Sequence, residues 1–331
     1  MTVTGVCRQL SMTRQNYYAR RKRRRRRQVD AELVVGLVRG ERGLQPRLGV
    51  RKLRVLLRDP LAEAGVTLGR DRWFEVLREH DLLLAPKRSE NPCTTRSYHG
   101  LPVFKNLIQG HPASHPHEIW VGDLTYLRTE EGFLYLSLLT DKVSRHIVGH
   151  HCGDSLEVSG CLAALDMALE QLPPGARPIH HSDRGSQYCC HEYVNRSVDG
   201  GVTMSMTEVD HCAENALAER MNGILKGEYG LDHRFKTKGL ARQAVEQAIH
   251  LYGTRRPHTA LGYRFPAQVH GSFLPPAPPT GGLPGHRDPG ARPELRTGVQ
   301  SPAQVGATPV ADQPVEPLRG QSRVVTSAPR K

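Results

Sequence analysis

The chain of 331 residues lacks the signals of a zinc-stapled, membrane-spanning or secreted protein. Its seven cysteines form no CxxC pair and no paired CxxC/HxxxH spacing, which argues against a zinc finger or ribbon. No apolar run approaches the roughly 20 residues that a membrane span needs; FLYLSLLT, residues 133–140, is far too short. No secretory h-region opens the sequence, so a reduced, cytoplasmic setting with idle or buried thiols is expected. There is no internal repeat. The last 61 residues, from 271, contain 20 Pro or Gly and a single aromatic, Phe273. Such a segment cannot bury enough surface to offset its ordering entropy, and a disordered tail is expected over 271–331.

What is present is positive charge, unevenly spread. The chain holds 46 Lys+Arg against 33 Asp+Glu, a formal net charge of +13. Residues 1–100 contain 23 and 10 of these, leaving 23 and 23 for the remainder, so the N-terminal third carries the whole excess. That footprint suits a polyanionic partner, although a solubilising surface has the same composition. Residues 20–27 are eight consecutive cations. Such a run repels itself until phosphates neutralise it.

Residues 1–29 read as a short helix, a turn and a basic helix, with Ser11 or Thr13 as its cap. Residues 30–85 read as further helices, the first capped by Asp30. GVRKLRVLLRD and GRDRWFEVLREHDLLL, joined by PLAEAGVTL, suggest a helix-turn-helix. Its exposed arginines, including Arg51, Arg54, Arg70 and Arg72, are candidate DNA contacts. A plain basic helical bundle would show the same pattern. Residues 86–116 carry five prolines and little periodicity, and read as a linker. Residues 117–270 change character: strands at 119–127, 133–140 and 145–152, then an amphipathic helix with Asp154 and Glu157 at its start. A strand at 177–182, a helix at 186–198, a short strand and a last helix follow. Three strands followed by alternating helices and strands is the order of an α/β ribonuclease-H-like fold, a mixed sheet flanked by helices.

Three acids stand out in that core. Asp123 lies in the apolar run IWVGDLTYL, where an ionised carboxylate is costly without a cation or hydrogen bonds. An edge-strand Asp facing water is the alternative. Asp183 follows the strand that ends in PIHHS, at the carboxyl end where open sheets place ligands; it could equally form a turn. Glu219 follows Asp183 after 35 intervening residues, on a helix whose Asn215, Glu219, Asn222 and Lys226 form one stripe. A stripe of that kind is also what a solvated face looks like. Small Ala216 and Gly223 leave room beside the carboxylate. Lys226 lies two turns, about 10 Å, from Glu219, a spacing that suits a phosphate contact. Carboxylates from separate elements that converge can hold two divalent ions for in-line attack on a phosphodiester.

HSDRGSQY, ENALAER with its following lysine, and LYGTRRPHTALGYRFPAQV together resemble the OrfB-type transposases of insertion-element family three, over residues 5–270. These have a core similar to that of retroviral integrases. The resemblance implies an Asp-Asp-Glu triad at Asp123, Asp183 and Glu219, with Lys226 as the signature basic residue. It implies magnesium as the working ion, with manganese able to substitute, and binding to terminal inverted repeats and target DNA by an oligomer of the chain. Arg255 and Arg256 would hold backbone phosphates. The family's upstream leucine-zipper segment is missing, so an upstream-frame OrfA-type partner or fusion is expected. A non-catalytic DNA-binding regulator with an inactive core, or an RNase-H-like nuclease, are the competing readings.

Overall fold

The computed structural model describes residues 2–85, 101–208 and 215–273, all within one unit, Met1–Pro276. The expected disordered tail lies outside the described residues from 274 onward, as do residues 86–100 of the expected linker.

The N-terminal part is all helical. Helix α1, Val3–Gln9, is capped by Thr2, and α2, Arg14–Leu44, by Thr13, whose hydroxyl accepts from the Asn16 amide. The expected break at 29/30 does not occur: Asp30 lies inside α2 rather than at a cap. No proline interrupts residues 14–44, and Ala31, Val34, Val35, Val38 and Glu41 bury one face of the second half. That packing carries the helix through the arginine run. Three short helices follow, α3 (Val50–Leu56), α4 (Arg58–Glu63) and α5 (Arg70–Glu79). The connection PLAEAGVTL is therefore partly helical, because Pro60 falls in the first turn of α4, where its missing N–H costs nothing. Val34, Val38, Leu48, Leu53, Val76 and Leu77 are fully buried at the centre of this part.

The catalytic-core sequence builds a mixed sheet. Strands β1 (Ile119–Thr129), β2 (Gly132–Asp141) and β3 (Ile147–Gly153) are antiparallel neighbours. Strands β4 (Ile179–Ser182) and β5 (Thr203–Met206) add in parallel on the other side of β1, giving the order β3-β2-β1-β4-β5. The two-residue β6 (Arg234–Phe235) pairs with the far end of β1. The start of β3 is delayed to Ile147 because Arg145 turns the hairpin at φ 62°, and buried Asp141 accepts the Val143 and Ser144 amides there.

Helices cover both faces. Helix α6 (Val158–Glu170) and α8 (His191–Asp199) pack one side, and α9 (Ala216–Glu228) and α10 (Lys238–Arg255) the other. The helix expected over 186–198 is split at Cys190, whose backbone is extended, into α7 (Ser186–Cys189) and α8. Asp154 does not cap α6. It pairs with Lys238 and Arg242 of α10, and Glu157 occupies the N-cap without a side-chain bond. A short α11 (Pro266–Gly271) closes the core.

The described part of the expected linker, residues 101–116, is a packed strap. Leu101 and Phe104 join the α6–α8 core, and the Leu107 amide donates to Ser205 of β5. Prolines keep it out of the sheet ladder, but its apolar side chains still find cover. Among the described residues the cysteines are free thiols, and no helix is long and apolar enough to cross a membrane.

Candidate active site

Strand pairing sets the first two acids side by side. Val121 of β1 is in parallel register with His181 of β4. Two residues beyond that pair, Asp123 lies mid-way along β1, opposite Leu138 of β2, and Asp183 follows the last residue of β4, so that the two carboxylates are neighbours at the carboxyl end of β4. One Asp123 oxygen accepts from the Leu124 amide (2.9 Å) and the other from Asn222 Nδ2 (2.6 Å). Burial pushes the Asp123 carboxyl up to about 7, helped by the negative charge of Asp183 and, more weakly, of Glu219; the two hydrogen bonds oppose this only in part. Asp183 also makes the turn that was its alternative reading: its Oδ1 accepts from the Gly185 amide at 3.0 Å. Arg184 fastens that turn to the carbonyls of Thr207 and Glu208.

The neighbouring histidines face away. His180 Nε2 meets Tyr193 OH at 2.9 Å, and His181 Nδ1 meets Ser205 Oγ at 2.9 Å, both fully buried. Gly122 makes this possible: a Cβ there would sit 2.5 Å from His180 Cε1.

The polar stripe of α9 lies against β1. Asn215 Nδ2 donates to Gly122 O (3.2 Å), Asn222 to Asp123, and Lys226 Nζ to Thr125 Oγ1 (2.6 Å). Lys226 also stands 4.8 Å from the Tyr126 ring centroid. The solvated-face alternative is thereby excluded for three of the four stripe residues. Asn215 and Asn222, which their place in the stripe offers as DNA contacts, are instead buried, and their amide donors serve the Gly122 carbonyl and the Asp123 carboxylate.

Glu219 is the fourth, and it differs. It sits on the exposed flank of α9, in an open groove of about 500 Å³ lined by Ala216, Arg220, Gly223, Ile224 and Glu228. The structure therefore joins Asp123 to Asp183, with Glu219 acting on Asp123 through space. Among the described residues no three Asp, Glu, His or Cys side chains converge as a ready metal-binding group.

The remaining candidate DNA contacts divide. Arg51 and Arg70 are exposed and Arg54 partly so. Arg72 is engaged by Glu75 and Glu79 on its own helix. Arg255 grips Glu41 of α2 at 2.8–3.2 Å, with half its side chain still exposed. Arg256 cannot hold a phosphate in this state: its side chain is 2% exposed and bidentate on Glu228 at 2.8 and 2.9 Å. Glu228 also takes Lys52 of α3 at 2.7 Å. Sequence reading missed this cluster, which ties the N-terminal helices to the end of α9. One signal was available: Glu41 continues the buried spacing of Val34 and Val38, and a carboxylate at a core position calls for a cation.

Comparison with known proteins shows the family. The family described as integrase core domain matches residues 113–212, and a second of the same description matches residues 200–266. The 31 kDa protein of insertion element IS600 from Shigella sonnei is 34% identical over 266 residues, 79% of this chain and 96% of that protein. Transposase InsF of insertion sequence IS3A from Escherichia coli K12 is 30% identical over 283 residues, covering 82% and 95%. The transposase of IS629 from Shigella sonnei is 30% identical over 226 residues, covering 68% and 74%. Among solved structures, the magnesium complex of the HTLV-2 integrase catalytic core domain aligns with 48% of this chain and 99% of its own at 18% identity, with a TM-score of 0.39. A simian T-cell lymphotropic virus intasome aligns with 71% and 78% at 20% identity, with a TM-score of 0.42.

Proposed function

The chain belongs to the IS3 family of insertion-element transposases, and on that premise we propose that Asp123, Asp183 and Glu219 are the carboxylates with which it cuts and joins the element's DNA ends. It is a DNA transposase of the polynucleotidyl-transferase class. The observation that carries the residue assignment is the parallel pairing of β1 with β4, which brings Asp123 beside Asp183 just past the end of β4, where burial and the charge of Asp183 lift Asp123 to about 7. Such a pair is poorly stable unless a cation comes between its members.

The donor set fits a hard divalent cation. Carboxylate oxygens alone suit magnesium, with manganese as a substitute, and offer nothing to a soft ion. When bound, two such ions would generate the attacking oxygen nucleophile, a water or a 3′-hydroxyl, and stabilise the leaving oxygen. The protein's own groups prepare for this. Asn222 fixes the orientation of Asp123 through one oxygen. The Gly185 amide fixes Asp183. Glu219, on the exposed flank of α9, would be the third member of the set. Lys226, held between Thr125 and the Tyr126 ring, supplies positive charge beside the acids for a backbone phosphate. No protein nucleophile is required, so one site serves both cleavage and strand transfer by exchanging the attacking hydroxyl.

The basic N-terminal helices, with Arg51, Arg54 and Arg70 on open faces, would recognise the terminal repeats, working as an oligomer and together with an upstream-frame OrfA-type partner. Asp183→Asn separates the roles. The variant is expected to bind end DNA as the parent does, while losing cleavage and joining. Strand joining by the purified variant with magnesium would remove Asp183 from the assignment.

A further inference from the structure

Beside the acid pair lies a cleft of about 380 Å³ that the chemistry above does not use. Tyr126 and Tyr135 stand opposite each other in register on β1 and β2, and both line it. Leu124, Leu156 and Tyr188 contribute further apolar wall, and Asp183 is part of the lining. Behind Tyr126, Phe133 packs edge-on at 5.4 Å between ring centroids, and Lys226 stands over the Tyr126 ring. The Tyr126 ring is thus held by two residues that do not line the cleft. The polar lining is largely engaged within the protein: Gln187 Nε2 donates to Leu156 O at 2.9 Å, and Ser186 Oγ to Gln187 Oε1 at 3.4 Å.

We propose that this cleft receives one unpaired nucleobase of the DNA strand being processed, next to the phosphodiester at Asp123 and Asp183. The inference rests on the transposase reading above and adds a subsite to it. Aromatic and aliphatic walls gain nothing from a phosphate or a sugar hydroxyl, but they gain from a flat ring. The negative charge of Asp183 in the lining repels a phosphate, so the ring's attached phosphate lies outside, toward Lys226. A base still paired in a duplex has its faces stacked and its edges occupied, so the strand must open by a nucleotide before the cleft fills. Because Gln187 and Ser186 are tied to protein partners, the cleft holds a base by its faces and accepts any of the four.

The test uses the full chain and Tyr135, which lines the cleft away from the acids. The binding probe is a forked duplex whose one unpaired nucleotide is 2-aminopurine, mixed without divalent metal. Its fluorescence is expected to be quenched on binding the parent and Tyr135→Phe. With Tyr135→Ala the quenching should vanish and binding weaken by about tenfold to a hundredfold, the worth of one stacked base. In cleavage of the element's own end DNA, an abasic nucleotide at that position should bring the parent down to the level of Tyr135→Ala, and should not slow Tyr135→Ala further. Equal slowing of both proteins by the abasic site, or quenching that survives in a folded Tyr135→Ala, overturns the proposal. A parent that quenches through Tyr135 yet never cuts would leave the cleft standing and overturn the catalytic reading instead.

Discussion

Glu228→Gln is the most demanding perturbation of the structure's electrostatics. The carboxylate takes four charge-assisted hydrogen bonds, from Lys52 Nζ at 2.7 and 2.9 Å and from Arg256 Nε and Nη2 at 2.8 and 2.9 Å. The three side chains are 23%, 15% and 2% exposed. Glutamine keeps the shape but turns one acceptor into a donor facing a guanidinium that cannot shed its proton. Removing one partner of a buried ion pair costs roughly 3–5 kcal/mol, because the other charge stays buried and uncompensated. The exposed pair Arg58–Asp59, by contrast, should contribute no more than about 1 kcal/mol. Lys52→Met should be milder than Glu228→Gln, since Arg256 still satisfies the carboxylate, and burial together with Arg256 already lowers the Lys52 pKa.

Urea denaturation of the full chain, followed by circular dichroism, gives the difference directly. The neighbouring Lys52 and Arg256 charges hold the Glu228 carboxyl below its usual value, against the opposing effect of burial. A depressed carboxylate pKa contributes stability that is present above the unfolded value near 4.5 and lost as pH falls through the folded one. The gap between parent and Glu228→Gln should therefore be full at pH 7 and close below about pH 4.5. A cost under about 1 kcal/mol at pH 7 would show that this cluster behaves as a surface pair, and the argument that it fastens the N-terminal helices to α9 would fail.

In the absence of metal, Asp123→Asn should raise the melting temperature at pH 8, and added magnesium should stabilise the parent but not the variant. The sign follows from a raised carboxyl pKa: its contribution is present below about 3.8 and is lost as pH rises through about 7, so equal melting of the two proteins at pH 8 would contradict it. Gly122→Ala should cost about 1–3 kcal/mol by driving a methyl into His180, measurable by the same denaturation series. His146, His180, His258 and His270 are each depressed to about 4, chiefly by burial, so their contribution is present above 6.5 and lost as pH falls through about 4; a melting temperature unchanged between pH 7 and 4 would contradict that sign. Replacing the cations of residues 20–27 with glutamine should flatten the salt dependence of DNA affinity, and an unchanged slope would remove that segment from the interface.

The core was legible wherever period and polarity agreed. Alternation placed Asp123 within a strand, and apolar PIH before HSD placed Asp183 at a strand end; pairing then made them neighbours. Depth was harder. Arg255 and Arg256 are adjacent and chemically identical, yet one is half exposed and the other is buried, because only Arg256 meets the end of α9. No local signal separates them. The arginine run looked like a boundary because its charges repel, but continuity of α2 is decided by the apolar face after Ala31, which repulsion does not touch.

The stripe on α9 shows where a one-dimensional reading stops. Asn215, Asn222 and Lys226 have the spacing of a solvated face, and nothing in that spacing says which way the face points. The answer lies on β1: a carbonyl at Gly122, a carboxylate at Asp123 and a hydroxyl at Thr125, each met by one stripe residue. Polar periodicity on a helix and polar acceptors on a strand are each ambiguous alone. Together they are complementary, and that complementarity brings the helix carrying Glu219 to the strand carrying Asp123. Glu219 meets no counterpart of this kind on β1 and stands on the exposed flank of α9, adding its negative charge to the field that lifts Asp123.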